Sequence, residues 1–195
     1  MDNYIYIVAG LPDLAITFGS SQFSYADVQA TVVELLSERD RRLVELFEEG
    51  FDEERLTADF YERAAQCRNR FISRYFDFDA RLRNQKTEFV AQQMNADASK
   101  YTVQLPDNEF EDERRVQEIL ANPDFLQREQ QLDMLKWQKA DDLALMDYFN
   151  LNTVLAFLAK AHIVSRWARL DREAGEAMFR QLLGEVRGTF KGISA

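Results

Sequence analysis

The stretch from Thr57 to Asn95, TADFYERAAQCRNRFISRYFDFDARLRNQKTEFVAQQMN, decides the fold. Apolar side chains recur at Phe60, Ala64, Cys67, Phe71, Tyr75, Phe78 and Leu82, with Phe89 seven residues further on. Steps of three and four place these side chains along one face of an α-helix, whereas a half-buried strand would need every second residue. The spacing therefore predicts helix through the middle of the chain.

Upstream of this stretch the punctuation is also helical. Ser24 with Asp27, and Ser37 with Asp40, have the spacing of a capping side chain and a first-turn acid. They predict one helix carrying Val28, Val32, Leu35 and Leu36 inward, then a restart carrying Leu43, Leu46 and Phe47, ended by Gly50. YIYIVA at 4–9 is continuously apolar up to Gly10-Leu11-Pro12, so periodicity does not separate helix from strand, and burial is expected in either case. FGSSQFS at 18–24 reads as a loop.

Downstream, PDNEFEDE at 106–113 is acidic and aperiodic, the best linker in the chain. A short helix through Val116, Ile119 and Leu120 should stop near Asn122-Pro123, because proline disfavours helix in the residue before it. Another starts at Asp124 and turns Leu132, Leu135 and Trp137 inward. A third carries Leu151, Val154, Leu155, Leu158, His162 and Trp167 behind Asn150 and Asn152, and Asp171 caps a last helix holding Met178, Leu182 and Val186. No strand-like alternation is strong enough to build a sheet. The fold expected is an all-α helical bundle, with an N-terminal half at 1–105, the linker at 106–113 and a C-terminal half at 114–195, or one continuous domain.

Composition agrees with that class. Only three Pro and seven Gly interrupt 195 residues rich in Leu, Ala, Glu, Arg and Gln, enough chain for one domain or two small lobes. A net charge of −10 argues against nucleic acid as a partner, since phosphate backbones are held largely by Lys and Arg. The single cysteine cannot form an internal disulfide, which fits a reducing compartment. The start, MDNYIYIVAGLP, lacks the basic region of a signal peptide, and no apolar run approaches the ~18 residues of a spanning helix. A cytoplasmic, soluble protein is expected.

Catalytic patterns are scarce. A di-metal carboxylate site in a bundle needs paired Glu-x-x-His motifs, and the chain has one histidine. There is no cysteine cluster for zinc and no Gly-rich phosphate loop, so no catalytic residue, cofactor or metal is expected. His162 shares a helical side with Leu155 and Leu158 and reads as a half-buried structural histidine satisfied by a hydrogen bond. Cys67, in the apolar stripe, reads as a small hydrophobe. A stand-alone helical enzyme would have to use carboxylates such as Asp141 and Asp142 near Trp137, and paired acids beside a helix usually form a solvated face.

Charge is distributed unevenly. Between residues 63 and 86 stand seven cations (Arg63, Arg68, Arg70, Arg74, Arg81, Arg83 and Lys86) and two acids, Asp77 and Asp79, a local +5 that leaves −15 for the rest of the −10 chain. Either these cations pair with the protein's own acids, such as those at 109–113, or they form a docking face for an acidic partner helix. Arg74, Arg81 and Arg83, with Arg166 and Trp167 near the C-terminus, are the candidates for such a face.

One phrase is written nearly twice, YFDFDARL at 75–82 and YFNLNTVL at 148–155. Either two helix starts share their punctuation or a structural unit is repeated. YIYIVAGLPDL at 4–14, FDFDARLRN at 76–84, LDMLKW at 132–137 and DYFNLNTVLAFLAKAHIVSRW at 147–167 together resemble an uncharacterised bacterial family encoded among V-type ATPase genes. That family in turn resembles, distantly, the C-type (or d-type) stalk component of V/A-type ATPases, a repetitive helical protein between the membrane rotor ring and the central stalk.

The resemblance implies two helical units like those of that stalk component. Asp79, Leu82 and Arg83 match the repeat motif in the first, Asn152 and Leu155 in the second, where Ala156 replaces the expected Arg. It also implies a non-catalytic subunit or accessory protein of a V-type ATPase, a helical connector at the stalk or rotor face, held at the inner face of the membrane through stalk or rotor-ring subunits. A transient assembly factor for that complex is the alternative.

Overall fold

Helices make up all the regular structure in the computed structural model, which describes residues 4–15, 24–106 and 109–170. The all-α expectation holds among these residues. The capping side chains read from sequence do their expected work. Ser24 accepts Asp27 N at 3.3 Å to open α2 (Tyr25–Leu35), and Ser37 accepts Asp40 N at 3.3 Å to open α3 (Glu38–Glu49). Asp124 opens α7 (Phe125–Ala144) and Asn150 opens α8 (Leu151–Ala168) in the same way. Between them, α6 (Glu113–Leu120) stops just before Asn122-Pro123. The expected helix beyond Asp171 lies outside the described residues, as does most of the loop expected at 18–24.

The long stripe is not one helix. Thr57 caps α4 (Ala58–Gln66), the chain turns through Cys67–Asn69, and Asn69 caps α5 (Arg70–Met94). Phe60 and Ala64 of α4 share one core with Phe71 and Tyr75 of α5, so the apolar spacing passes through the corner without a break. Asn95 ends α5 in the left-handed conformation at φ 51°, a role that asparagine tolerates better than most residues.

YIYIVA forms α1 (Tyr4–Ala9), and only one side of it is covered. Ile7 is buried, while Ile5 and Tyr6 are exposed, so the expectation of uniform burial fails on helical geometry.

Most of the core is one cluster. Ile7, Val32, Val44, Phe47, Phe60 and Phe71 meet Val154, Leu155 and Leu158 of α8 in it, drawing side chains from both sides of the expected linker. A second cluster sets Phe78 and Leu82 of α5 against Val116, Ile119 and Leu120 of α6 and Leu132 and Leu135 of α7. Helix α5 therefore runs between both. The chain leading into the linker lies on it too, because the Asn84 side-chain amide exchanges two 2.8 Å hydrogen bonds with the backbone of Val103. Gly50 is required at its position by close approach: an added Cβ would stand 2.1 Å from Phe76 Cε1 and 2.7 Å from Phe60 Cζ.

The doubled phrase does not mark equivalent positions. Tyr75 to Leu82 is helical throughout and begins in the second turn of α5, whereas Tyr148 to Asn150 is non-helical chain ahead of α8. Tyr75 and Phe76 are buried, while Tyr148 and Phe149 are exposed. The caps of α5 and α8 stand at Asn69 and Asn150, 81 positions apart, but the phrases are 73 apart, so the like letters fall eight residues out of step.

Candidate functional site

Two arrangements stand out, one at a corner of the bundle and one in a cleft. At the corner, the starts of α5 and α8 are tied together. Asn69 accepts Ile72 N at 3.0 Å as the cap of α5, and its amide donates to Asn152 Oδ1 at 3.0 Å.

The turn before α8 is held just as closely. Asp147 accepts from Asn150 Nδ2 at 2.6 Å and from Asn152 Nδ2 at 2.8 Å, and the Thr153 hydroxyl donates to the Asp147 carbonyl at 2.5 Å. This fixed turn projects apolar side chains into solvent: Leu145, Met146, Tyr148 and Phe149 are 69, 81, 69 and 55 % exposed.

Flanking Asn69 on the joined corner, Arg68 and Arg70 are exposed, and Arg74 follows one turn later. None of the three has an ion pair among the described residues, whereas Arg63, Arg81, Arg83 and Lys86 of the same basic stretch are all paired. An apolar centre held rigidly beside unpaired cations has the composition of a protein-binding surface.

The cleft lies between α5, α7 and α8. It is lined by Asp133 and backed by Asp79, the two buried charged residues among those described. Asp79 accepts from Tyr61 Oη at 3.1 Å and Arg83 Nε at 2.6 Å and faces Lys136 Nζ at 2.5 Å. Burial alone would push this carboxyl up, but Lys136 and then Arg83 outweigh it and hold it at about 2. Burial and the charge of Asp79 push the Tyr61 phenol far above its usual range, so it serves as a donor. Asp133 accepts from Arg166 and, at 2.7 Å, from the Trp167 indole, while Glu129 bridges Lys86 at 2.6 Å and Arg166 at 3.8 Å.

The residues expected to dock a partner thus separate by location. Arg74 belongs to the corner, and Arg83 and Arg166 belong to the cleft's ion network. Arg81 is held within the fold: its side chain is 11 % exposed, bound to Asp77 at 3.0 Å and to the Pro106 carbonyl at 3.1 Å. Trp167, Leu82 and Leu155 are buried, at 1, 3 and 0 % exposure. Asn152 and Asp79 act as junction and network residues at positions that are not repeats of each other.

The remaining chemical candidates have local explanations. His162 meets Glu48 at 2.9 Å and stacks on Phe51 with centroids 3.8 Å apart, the half-buried, hydrogen-bonded histidine expected from its position. Cys67 is the C-cap of α4, partly buried against the core. Asp141 pairs with Lys160 at 2.7 Å on the surface, and Asp142 is exposed. Among the described residues no group of His, Cys, Asp and Glu could hold a metal ion, and no helix is long and apolar enough to cross a membrane.

Arg68 and Arg70 belong to the basic stretch read from sequence but not to its named docking candidates, and Tyr148 and Phe149 are not site candidates on sequence at all. The available signal was four large apolar residues, Leu145, Met146, Tyr148 and Phe149, around Asp147 between two helices, where turns are normally polar. A family model described as "Protein of unknown function (DUF2764)" matches residues 48–109 and 103–189. No curated protein and no solved structure matches the chain.

Proposed function

The chain belongs to the family described as protein of unknown function (DUF2764), and from that premise we propose that it is a non-catalytic subunit or accessory protein of a V-type ATPase. In this reading it is a helical connector at the central stalk or rotor face, peripheral to the membrane through its partner subunits. The phrases quoted above from 4–14, 76–84, 132–137 and 147–167 support the association with that complex. The observation that carries a connector role is the corner, where a hydrogen-bonded turn exposes Leu145, Met146, Tyr148 and Phe149 beside unpaired Arg68, Arg70 and Arg74.

Such a surface works by contact area and rigidity. Its turn is already ordered, so docking costs little conformational entropy, and the arginines favour an acidic partner and set its register. The ATPase should be purified from cells expressing tagged wild type or a Tyr148→Ser/Phe149→Ser variant, and its subunits identified. A connector copurifies stoichiometrically with active complex and is lost with the variant, while an assembly factor appears only with incomplete complexes. Recovery of wild type with no ATPase subunit would refute the assignment.

A further inference from the structure

The cleft between α5, α7 and α8 has a volume of about 670 Å³, within the range of small-molecule sites. Its walls include Phe51, Leu82, Leu132 and Ile163, and its charged lining is mixed. Five cations, Arg83, Lys86, Lys136, Arg166 and Arg169, stand against three carboxylates, Glu53, Glu129 and Asp133, with Asp79 behind as a fourth. The charges nearly balance, but the hydrogen-bonding capacities do not.

A guanidinium carries five N–H donors and an ammonium three. Arg83 directs Nε to Asp79, Arg166 an amino group to Asp133, Arg169 an amino group to Ser165 Oγ at 3.1 Å, and Lys86 and Lys136 one contact each to Glu129 and Asp79. Most donors on this lining therefore have no acceptor among the described residues. Three of the four carboxylates are already engaged: Asp79 faces Tyr61, Arg83 and Lys136, both oxygens of Glu129 face cations, and Asp133 receives Arg166 and Trp167.

Tyr75 adds an independent observation. It lines the cleft, is 1 % exposed, and its hydroxyl has no hydrogen-bond partner among the described residues. Its ring is locked against Phe47, Phe71 and Phe76 at centroid distances of 5.8, 5.7 and 5.5 Å, so the hydroxyl cannot swing away to find one. Burial and the neighbouring Asp79 and Asp133 hold the phenol protonated, a donor in want of an acceptor.

We propose that this cleft is a binding site for a small organic polyanion, bearing phosphate or carboxylate groups, that accepts from the Tyr75 hydroxyl and from the unengaged donors of Arg83, Lys136 and Arg166. The apolar wall suits the ligand's body and the cationic lining its charged groups. This site is separate from the corner and does not depend on the ATPase assignment.

The test is calorimetric titration of the full chain with pyrophosphate and with citrate, at ionic strength matched by sodium chloride. Saturable binding of pyrophosphate alone assigns a phosphate ligand, and binding of citrate alone a carboxylate. Tyr75→Phe removes a hydroxyl that bonds to nothing in the free protein, so its unliganded thermal midpoint should be unchanged or higher while affinity falls about tenfold. No saturable heat with either probe overturns the proposal, as does equal affinity of Tyr75→Phe and wild type.

Discussion

The side-chain amide of Asn69 donates to the side-chain oxygen of Asn152 across 3.0 Å, joining the first turns of α5 and α8. Asn69 also caps α5, and Asn152 also donates to Asp147, so this pair of amides sets where two helices begin and how they meet. Asn69→Ala removes the cap and the inter-helix bond together and should destabilise by about 1–2 kcal/mol. Asn69→Asp keeps the capping acceptor but loses the donor, and should cost less. Urea unfolding of the three proteins measures this; an unchanged midpoint for Asn69→Ala would show that the junction contributes nothing to stability.

Asp79 ties stability to pH. In the unfolded chain its pKa is near 3.8, while in the fold Lys136 and Arg83 overcome burial and hold it at about 2. A lowered folded-state pKa contributes stability that is complete above the unfolded value and disappears as pH falls towards the folded one, here between about 4 and 2. The gap corresponds to about 2 kcal/mol. Asp79→Asn keeps the shape but leaves Lys136, 19 % exposed, without its counter-charge. The variant should be less stable than wild type by about 2–3 kcal/mol at neutral pH, and the difference should narrow as pH is lowered from about 4 to about 2. Unfolding midpoints across that range are the measurement, and a difference that stays constant would refute this account.

What could be read from sequence was local. Ser24, Ser37, Asp124 and Asn150 cap through residues two or three positions away, so their signals lie within a single turn. Asn69 caps in the same way, but it stands inside an apolar stripe that stays in phase through the corner, and periodicity hid the break. The mixed fates of the arginines were decided at long range. Arg81 is bound partly by the Pro106 carbonyl and Arg166 by Asp133, 25 and 33 residues away, partners that no local pattern reveals. The doubled Tyr-Phe suggests one role for both copies, but the pair at 75–76 is buried inside α5 and the pair at 148–149 is exposed ahead of α8.

The corner and the cleft predict opposite responses to charge reversal. Arg83→Glu sets a new carboxylate one turn from Asp79 in place of its 2.6 Å partner, so it should destabilise the fold by about 3 kcal/mol before any partner is considered. Arg68→Glu/Arg70→Glu/Arg74→Glu changes three exposed side chains that have no ion pairs among the described residues, and the fold should lose no more than about 0.5 kcal/mol per site. That triple variant should nevertheless associate more slowly with purified stalk or rotor-ring subcomplexes, with the deficit largest at low salt. Because three reversals take the net charge from −10 to −16, a control of equal charge is needed: Lys100→Glu/Arg114→Glu/Arg115→Glu, also exposed, carries the same change elsewhere. Stopped-flow association at two salt concentrations, with thermal midpoints beside it, separates the possibilities. Slowing confined to the corner variant identifies the docking surface. Equal slowing by both triples would mean that only total charge matters and would remove the corner from consideration.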